Sequence, residues 1–357
     1  MEILFLIIGS WIAVALTVIV WFMYLMITTP VDRDEDAVKK EPRIECGATG
    51  GPGPGGDDNC DGQAHDMTKP LLNVSFSGGR TSAYMTKRII DEWSDEYDFL
   101  VVFANTGLEH PKTLEFIHNC DTHFGFNTVW VEGVVHYGER KSSTHKIVTY
   151  ETASRSGEPF EAVIKKYGIP NTQFPQCTRE LKLRPMESYI RSLGVDPNSI
   201  PTAIGIRADE KRRVSKDAEV KNIIYPLIND WPSDKQDVLD WWEDQPFDLG
   251  IDEFEGNCLG CYKKSFKKHF MQIRRDPSVY DWHRRMEDQY RDFGPQTGQR
   301  VFFRGDTDTR KLFKLFELHG DDPGRASKVA YEDAGCSESC EVYATEDLPE
   351  WMRTATT

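Results

Sequence analysis

Four hydroxyl side chains, Ser75, Ser77, Thr81 and Ser82, crowd around the pair Gly78-Gly79 in the run Val74-Ser75-Phe76-Ser77-Gly78-Gly79-Arg80-Thr81-Ser82. Glycines let a backbone approach a phosphate closely, and hydroxyls supply hydrogen-bond donors. The helix that begins with Ala83-Tyr84-Met85 adds unpaired N–H groups and a partial positive charge. The run is a candidate anion cradle. It is not a Walker A loop, because no G-x-x-x-x-G-K-[ST] pattern occurs. An ordinary glycine turn is the plainer alternative, and the surplus of hydroxyls argues against it.

A second group of residues suited to chemistry is the cysteines. Cys177 opens the basic stretch Cys177-Thr178-Arg179-Glu180-Leu181-Lys182, where a helix N-terminus and nearby cations would favour a thiolate. Cys258-Leu259-Gly260-Cys261 is a C-x-x-C. Cys120 sits in an apolar helical pattern and reads as a small core residue. Lys263, Lys264, Lys267 and Lys268 could steer an anion, although a solvated helix face is the commoner explanation. His110, His118, His123, His136 and His145 show no metal-ligand spacing.

The elements that must position these groups follow from hydrophobic pattern. Leu72–Phe76 predicts a strand, followed by a helix from Ser82 to about Glu92. Phe99–Ala104 is a continuous apolar run, which predicts a strand buried on both faces. A helix of the Thr113–Cys120 type follows, then strands over Asn127–Val131 and Pro201–Ile206. Strands alternating with helices imply an α/β fold: an open, mostly parallel sheet with helices on both faces. Ligands of such sheets sit beyond the carboxyl ends of the strands, where Ser75–Ser82 and Asn105–Pro111 both fall. Residues 140–175 are polar and weakly periodic and receive no assignment. From Trp231 onward the helical stretches Asp237–Glu243, Phe266–Arg275, Val279–Phe293 and Asp308–Leu318 suggest a smaller helical subdomain carrying cysteines.

Composition bounds the rest. The chain has 357 residues and a net charge of −15, which argues against general nucleic-acid binding but leaves an RNA substrate open. Ile3–Ile27 is dense in apolar residues and, at about 1.5 Å per residue, outspans a hydrocarbon core of roughly 30 Å. Residues 1–31 therefore read as a single transmembrane helix. A signal peptide fits less well, since no basic n-region precedes the run. Arg33, Lys39, Lys40 and Arg43 follow it, which places the body in the cytoplasm. Residues 32–69, rich in Gly, Pro and acidic side chains, read as a disordered linker. The expected organisation continues as a nucleotide-binding domain over 70–230, the helical subdomain over 231–345 and a tail over 346–357. Eight cysteines in a chain with a cytoplasmic body point to metal or redox work rather than structural disulfides.

With these motifs assembled, the chain resembles the phosphoadenosine phosphosulfate (PAPS) reductase-like family of the adenine-nucleotide α-hydrolase, or PP-loop, superfamily. Ser75–Ser82 is similar to its S-x-S-G-G-x-x-S loop, and Phe103-Ala104-Asn105-Thr106-Gly107-Leu108-Glu109 to its second signature. Gly205-Ile206-Arg207-Ala208-Asp209-Glu210-Lys211-Arg212-Arg213 resembles its G-x-R-x-x-E-x-x-R run. Tyr225-Pro226-Leu227, Trp231 and Asp237–Trp241 resemble its P-[LI]…W…D-V…W segment. The resemblance spans roughly residues 70–270. It implies a sheet of about five strands binding an adenine nucleotide, PAPS or ATP. Ser75, Ser77, Gly78, Gly79, Thr81 and Ser82 would cradle phosphates, and Asn105, Thr106 and Gly107 would line the pocket. Arg207 would neutralise anionic oxygens, with Glu210 and Arg213 balancing its charge.

The cysteines resemble the iron–sulfur pattern of the APS-reductase branch, with one of its usual cysteine pair missing. A [4Fe–4S] cluster on Cys177, Cys258, Cys261 and Cys340, with Cys336 as substitute, is one implication. A structural zinc on similar ligands is another, and a dithiol pair or no metal is the third. Thr81 stands where the ATP-pyrophosphatase branch carries an acidic residue, and the terminal E-C-G-x-H of true PAPS reductases is absent. The implied function is sulfonucleotide reduction or ATP-dependent thiol and sulfur transfer, with Cys177, Arg207 and Cys340 as catalytic residues and a thiol reductant or sulfur donor as partner. The alternative is a membrane-tethered nucleotide-sensing or interaction module without turnover.

Overall fold

The apolar run at 99–104 forms the middle of the sheet because its side chains find cover on both faces. Val101 and Phe103 join one core, and Leu100, Val102 and Ala104 join another. The computed structural model describes residues 69–138, 141–256, 258–293 and 299–320. Its strands are β1 (Leu71–Ser75), β2 (Asp98–Asn105), β3 (Val129–Val134), β4 (Thr144–Val148), β5 (Thr202–Ile204) and β6 (Ile223–Ile224). They make one six-stranded sheet in the order β4-β3-β2-β1-β5-β6. Every neighbouring pair is parallel except β3–β4.

The resemblance implied about five strands, and β4 is the addition. Its pattern is polar because it lies at the sheet's edge, so its residues 144–147 are largely outside the core and carry no apolar signal. The chain builds outward from β1 through β2 and β3, then returns to place β5 on the other side of β1. Strand order therefore reverses at β1, and its carboxyl end is the switch point where such sheets bind ligands.

Helices α1 (Arg80–Trp93) and α2 (Pro111–Phe124) cover one face with α5 (Lys235–Glu243). Met85, Ile89, Ile117 and Trp242 pack there with Val74 and Phe103. Cys120, in α2, is fully buried in this core as expected. On the other face, α4 (Arg184–Ser192) packs Met186 and Ile190 against Leu100, Val102 and Val131. Both expected helices near the loop prove longer than their apolar cores, because their first and last turns are polar.

A separate core joins α3 (Glu158–Tyr167) to the later helices α6 (Phe266–Arg275), α7 (Asp281–Tyr290) and α8 (Thr309–His319). Phe160 and Val163 meet Phe270, Tyr280, Met286 and Phe302 in it. Caps set the starts: Asp234 and Asp237 form a reciprocal capping box on α5, Ser265 caps α6 and Asp308 caps α8. The stretch expected as one helix over 279–293 divides into a short 3₁₀ turn, Pro277–Tyr280, and α7. No helix among the described residues is long and apolar enough to cross a membrane. The expected membrane helix over 1–31, nearly all of the linker and everything after residue 320 lie outside the described residues.

Candidate functional site

The glycine–hydroxyl run takes the shape its residue types suggested. Gly78 has φ of +79°, a left-handed conformation that a side chain disfavours. A Cβ there would also sit 2.8 Å from Ile117 Cδ1 and 2.9 Å from Thr113 Cγ2. α1 begins directly after Gly79, and no side chain caps its first turn. Ser77 Oγ donates to Ser82 Oγ at 2.9 Å, and Ser82 Oγ donates to the Gly79 carbonyl at 3.0 Å. These bonds hold the loop in a closed ring around the helix N-terminus, the arrangement that suits an anion. Ser75 lies inside β1 and is 2% exposed, so it shapes the strand end beneath the loop. Arg80 points away and is gripped by Asp248, with both bonds at 2.6 Å. Trp242 Nε1 donates to the Arg80 carbonyl at 3.0 Å, which ties the loop to the end of α5.

The end of β5 approaches from the other side. A Cβ on Gly205 would lie 3.0 Å from Ser82 Cα, so a glycine is what lets this strand reach the loop. Arg207 follows, 7% exposed, with Nη1 donating to Thr81 Oγ1 at 3.3 Å. Its Nε and Nη2 are held by Asp209 at 2.9 and 3.0 Å. Glu210 stands 3.6 Å from Nη1 and also accepts from Arg213 at 2.8 Å. The expected trio of Arg207, Glu210 and Arg213 is therefore assembled beside the loop. Asp209 is a member that sequence reading passed over as an unremarkable position inside the motif. Arg207 holds the Asp209 carboxyl below its usual range.

The turn after β2 differs in detail from expectation. Asn105 is fully buried, and its amide is committed: it donates to Glu132 at 2.6 Å and to the Ser154 carbonyl at 2.9 Å. Its oxygen accepts from Gly107 N at 3.1 Å. Asn105 thus braces the turn instead of offering its amide to a ligand. Glu132, also fully buried, completes the brace through Ser154 and Lys146. Thr106 is bound at both ends to Glu109, which accepts from Thr106 N at 3.0 Å and from Oγ1 at 2.8 Å.

Behind that turn is a cavity of about 30 Å³ that Thr106 shares with Cys177, Cys258 and Cys261. Cys177, in the turn Gln176–Thr178, and the C-x-x-C pair Cys258 and Cys261, far from it in sequence, meet on one wall. Thr106 Oγ1 lies 3.2 Å from Cys258 Sγ, and Leu259 N donates to the Leu108 carbonyl at 2.7 Å. Cys177 Sγ is 3.4 Å from the Tyr262 hydroxyl. Burial, helped by the charge of Glu109, pushes the Cys258 thiol well above its usual range, while Lys182 opposes that shift.

One expectation about this region holds in altered form and another needs correction. Cys177 stands at the head of a basic helix as expected, but the helix is irregular: Gln176–Thr178 runs into α4 through a π turn over Arg179–Leu183. The wider turn buries Leu181 and Lys182 on the cavity wall, so part of the basic stretch faces inward. Lys264, read as part of a solvated face, is only 2% exposed. His283, which no spacing rule flagged, lines the cavity, and burial pushes its imidazole down to about 4.

The implied metal was a four-thiolate site. Three of its cysteines share the cavity, and Cys340 and Cys336 lie outside the described residues. Among the described residues, no three His, Cys, Asp or Glu side chains converge closely enough to hold an ion. Among the described residues, Cys177, Cys258 and Cys261 share the cavity wall without forming such a group.

A sheet reversing at β1, with a glycine–hydroxyl loop and an arginine at that point, defines an adenine-nucleotide α-hydrolase-like protein. The chain belongs to the phosphoadenosine phosphosulfate reductase domain family, whose model matches residues 71–229. It is 30% identical over 284 residues to the uncharacterized nin region protein ORF290 of Escherichia phage lambda. That match covers 76% of this chain and 96% of the phage protein. An uncharacterized protein of Methanocaldococcus jannaschii is 27% identical over 174 residues, covering 47% of this chain and 30% of that protein. Among solved structures, a phosphoadenylyl-sulfate (PAPS) reductase from Candida auris in a phosphate complex aligns with a TM-score of 0.30 and 16% identity. That alignment covers 50% of this chain and 73% of the other.

Proposed function

We propose that this protein binds an adenine nucleotide at the Ser75–Ser82 loop and carries out sulfur chemistry there with the thiols of the adjoining cavity. The observation that carries this reading is Thr106. It belongs to the turn at the end of β2, beside the nucleotide loop, and its hydroxyl is 3.2 Å from Cys258 Sγ. Ser77, Gly78, Gly79, Thr81 and Ser82 would hold phosphates, with Arg207 supplying charge-assisted bonds.

Two reactions suit this arrangement. In the reductive one, a cavity thiolate attacks the sulfonate sulfur and the sulfur–oxygen bond to the nucleotide phosphate breaks. The nucleotide leaves with that oxygen. A second thiol then displaces sulfite, and the resulting disulfide is restored by an external dithiol. In the ATP-dependent one, a substrate oxygen is adenylated with release of pyrophosphate, and a sulfur donor then displaces AMP.

The test is to incubate anaerobically reduced full-length protein separately with PAPS and with ATP, measuring nucleotide binding, sulfite and pyrophosphate. Sulfite or pyrophosphate above the level of a Ser77→Ala, Ser82→Ala variant supports enzymatic sulfur chemistry. The buried, proton-retaining Cys258 favours a second reading, a nucleotide-sensing module, and tight binding with neither product supports that one. Absence of adenine-nucleotide binding overturns both.

A further inference from the structure

The C-x-x-C folds into a closed β-turn. Cys261 N donates to the Cys258 carbonyl at 3.1 Å, and Gly260 supplies the positive φ, +66°, that the third position of a type II turn requires. Such a turn keeps its first and last Cα atoms within about 7 Å, the range a disulfide spans. Both cysteines are free and half-buried, and both line the cavity. The backbone of the turn is fixed on two sides. A Cβ on Gly260 would run into the His283 ring of α7. Opposite, Leu259 N donates to the Leu108 carbonyl at 2.7 Å, and Cys258 pairs with Glu109 in an antiparallel bridge. Cys258 also reaches the turn after β2 through its sulfur, which lies 3.2 Å from Thr106 Oγ1 and donates to Glu109 Oε1 at 3.7 Å. Just beyond, α2 starts at Pro111, and its Thr113 and Ile117 are the side chains packed against Gly78 of the loop.

We propose that Cys258 and Cys261 are a redox-active dithiol that closes to a disulfide by exchange with a small-molecule disulfide, and that closure releases the turn Thr106–Glu109. One cysteine thiolate attacks the external disulfide, whose S–S bond breaks as one thiol leaves. The other cysteine sulfur attacks the mixed disulfide so formed, and the second thiol leaves. The pair loses two electrons to the external disulfide, and its two protons end on the two released thiols. Oxidised Cys258 has no S–H to give Glu109. Its sulfur turns from Thr106 to lie about 2.05 Å from Cys261 Sγ. The fixed backbone keeps the two cysteines within reach in both states, so an external dithiol reopens the pair. On the nucleotide reading above, on which this consequence rests, a released turn weakens ATP binding at the loop.

The test equilibrates the full-length protein anaerobically in buffers of graded reduced and oxidised glutathione, followed by acid quenching, alkylation and peptide mass mapping. The tryptic peptide Gln236–Lys263 carries Cys258 and Cys261 and no other cysteine. In oxidising buffer it should lose two hydrogens and escape alkylation, and it should recover both on return to reducing buffer. The amides of Thr106–Glu109 should then exchange hydrogen at least about threefold faster than in the reduced protein. ATP should bind the oxidised form at least about threefold more weakly, and saturating ATP should shift the glutathione ratio at half-oxidation by the same factor. Cys261→Ser, read on protein free of glutathione adduct, should keep the reduced-state exchange rate in oxidising buffer. A peptide that keeps its hydrogens, a bridge from Cys258 to Cys177, or thiols blocked by bound iron or zinc overturns the dithiol. Unchanged amide exchange, or a Cys261→Ser protein that still responds, overturns the release of the turn, and an unchanged ATP affinity overturns its effect on the loop. Failure of the reduced protein to bind ATP removes the nucleotide reading instead, and peptide mass and amide exchange still decide the dithiol.

Discussion

Asp209 grips Arg207 through both carboxylate oxygens, at 2.9 Å from Nε and 3.0 Å from Nη2, and so turns Nη1 toward Thr81 at the start of α1. The edge of the guanidinium that faces the loop is thus the one Asp209 does not engage, with Glu210 3.6 Å from Nη1. A charge-assisted bidentate pair fixes direction as well as distance, and Arg207, with 7% exposure, has little freedom to find another pose. Asp209 is therefore a positioning residue for Arg207.

Asp209→Ala should weaken adenine-nucleotide binding about three- to tenfold, and Asp209→Glu should recover most of the loss. These factors correspond to about 0.7–1.4 kcal/mol, a scale suited to a partly exposed pair whose charge is screened by solvent. Equilibrium titration with labelled nucleotide measures it. Tighter binding by Asp209→Ala would mean that the carboxylate competes with the ligand, the opposite role.

Gly78→Ala should harm both stability and binding. The left-handed backbone costs about 1–2 kcal/mol for a side chain, and the clash with Ile117 and Thr113 in α2 adds about 1–3 kcal/mol of overpacking. Thermal unfolding should report a lower midpoint, and nucleotide titration of the folded fraction a weaker site. The paired variant Gly78→Ala, Ile117→Val relieves one of the two clashes and should recover part of the stability. An unchanged midpoint in Gly78→Ala would show that the loop is not held against α2.

The loop-and-arginine half of the candidate site was legible from sequence because its signals are local. Gly78-Gly79 with its hydroxyls, the apolar run at 99–104 and Gly205-x-Arg207 each encode their own geometry, and the sheet only has to align them. The thiol half was legible as residues but not as a place. Cys177, Cys258 and Cys261 were named from spacing, yet their convergence depends on a π turn that no hydrophobic period announces and on a core shared by α3 and α7. Lys264 was misread for the same reason: a basic run looks solvated until a tertiary contact buries part of it. Glu132 and Asp209 carry no sequence signal beyond their charge, since each acts only through the residue it holds.

His283 makes acid stability informative. Its imidazole is buried on the cavity wall, 3% exposed, and held neutral down to about 4, whereas in the unfolded chain it titrates near 6.5. Between those values the unfolded state binds more protons, so stability rises with pH through this window and is lost as pH falls from about 6.5 toward 4. The full contribution is ~3 kcal/mol. Burial lowers His269 in the same direction. Denaturant titrations between pH 8 and 5 should show this slope, and His283→Gln, though less stable overall, should show a shallower one. An identical slope in the variant would place the acid sensitivity elsewhere.

Thr106 offers the sharpest separation of binding from chemistry. Thr106→Val removes the hydroxyl that donates to Glu109 at 2.8 Å and lies 3.2 Å from Cys258, while the backbone N–H that holds the other Glu109 oxygen at 3.0 Å is retained. The turn after β2 should keep its shape, because Asn105 still bonds Glu132, Ser154 and Gly107. Nucleotide affinity should then change less than about threefold, under 1 kcal/mol, while product formation from the bound nucleotide falls at least about tenfold, 1.4 kcal/mol or more in the barrier. Thr106→Ser, which keeps the hydroxyl and loses the methyl, should recover turnover. Single-turnover measurement of sulfite or pyrophosphate, run beside a nucleotide titration, reads the two effects apart. A fall in affinity without a fall in turnover would make Thr106 part of the nucleotide pocket alone and would detach the thiol cavity from the reaction.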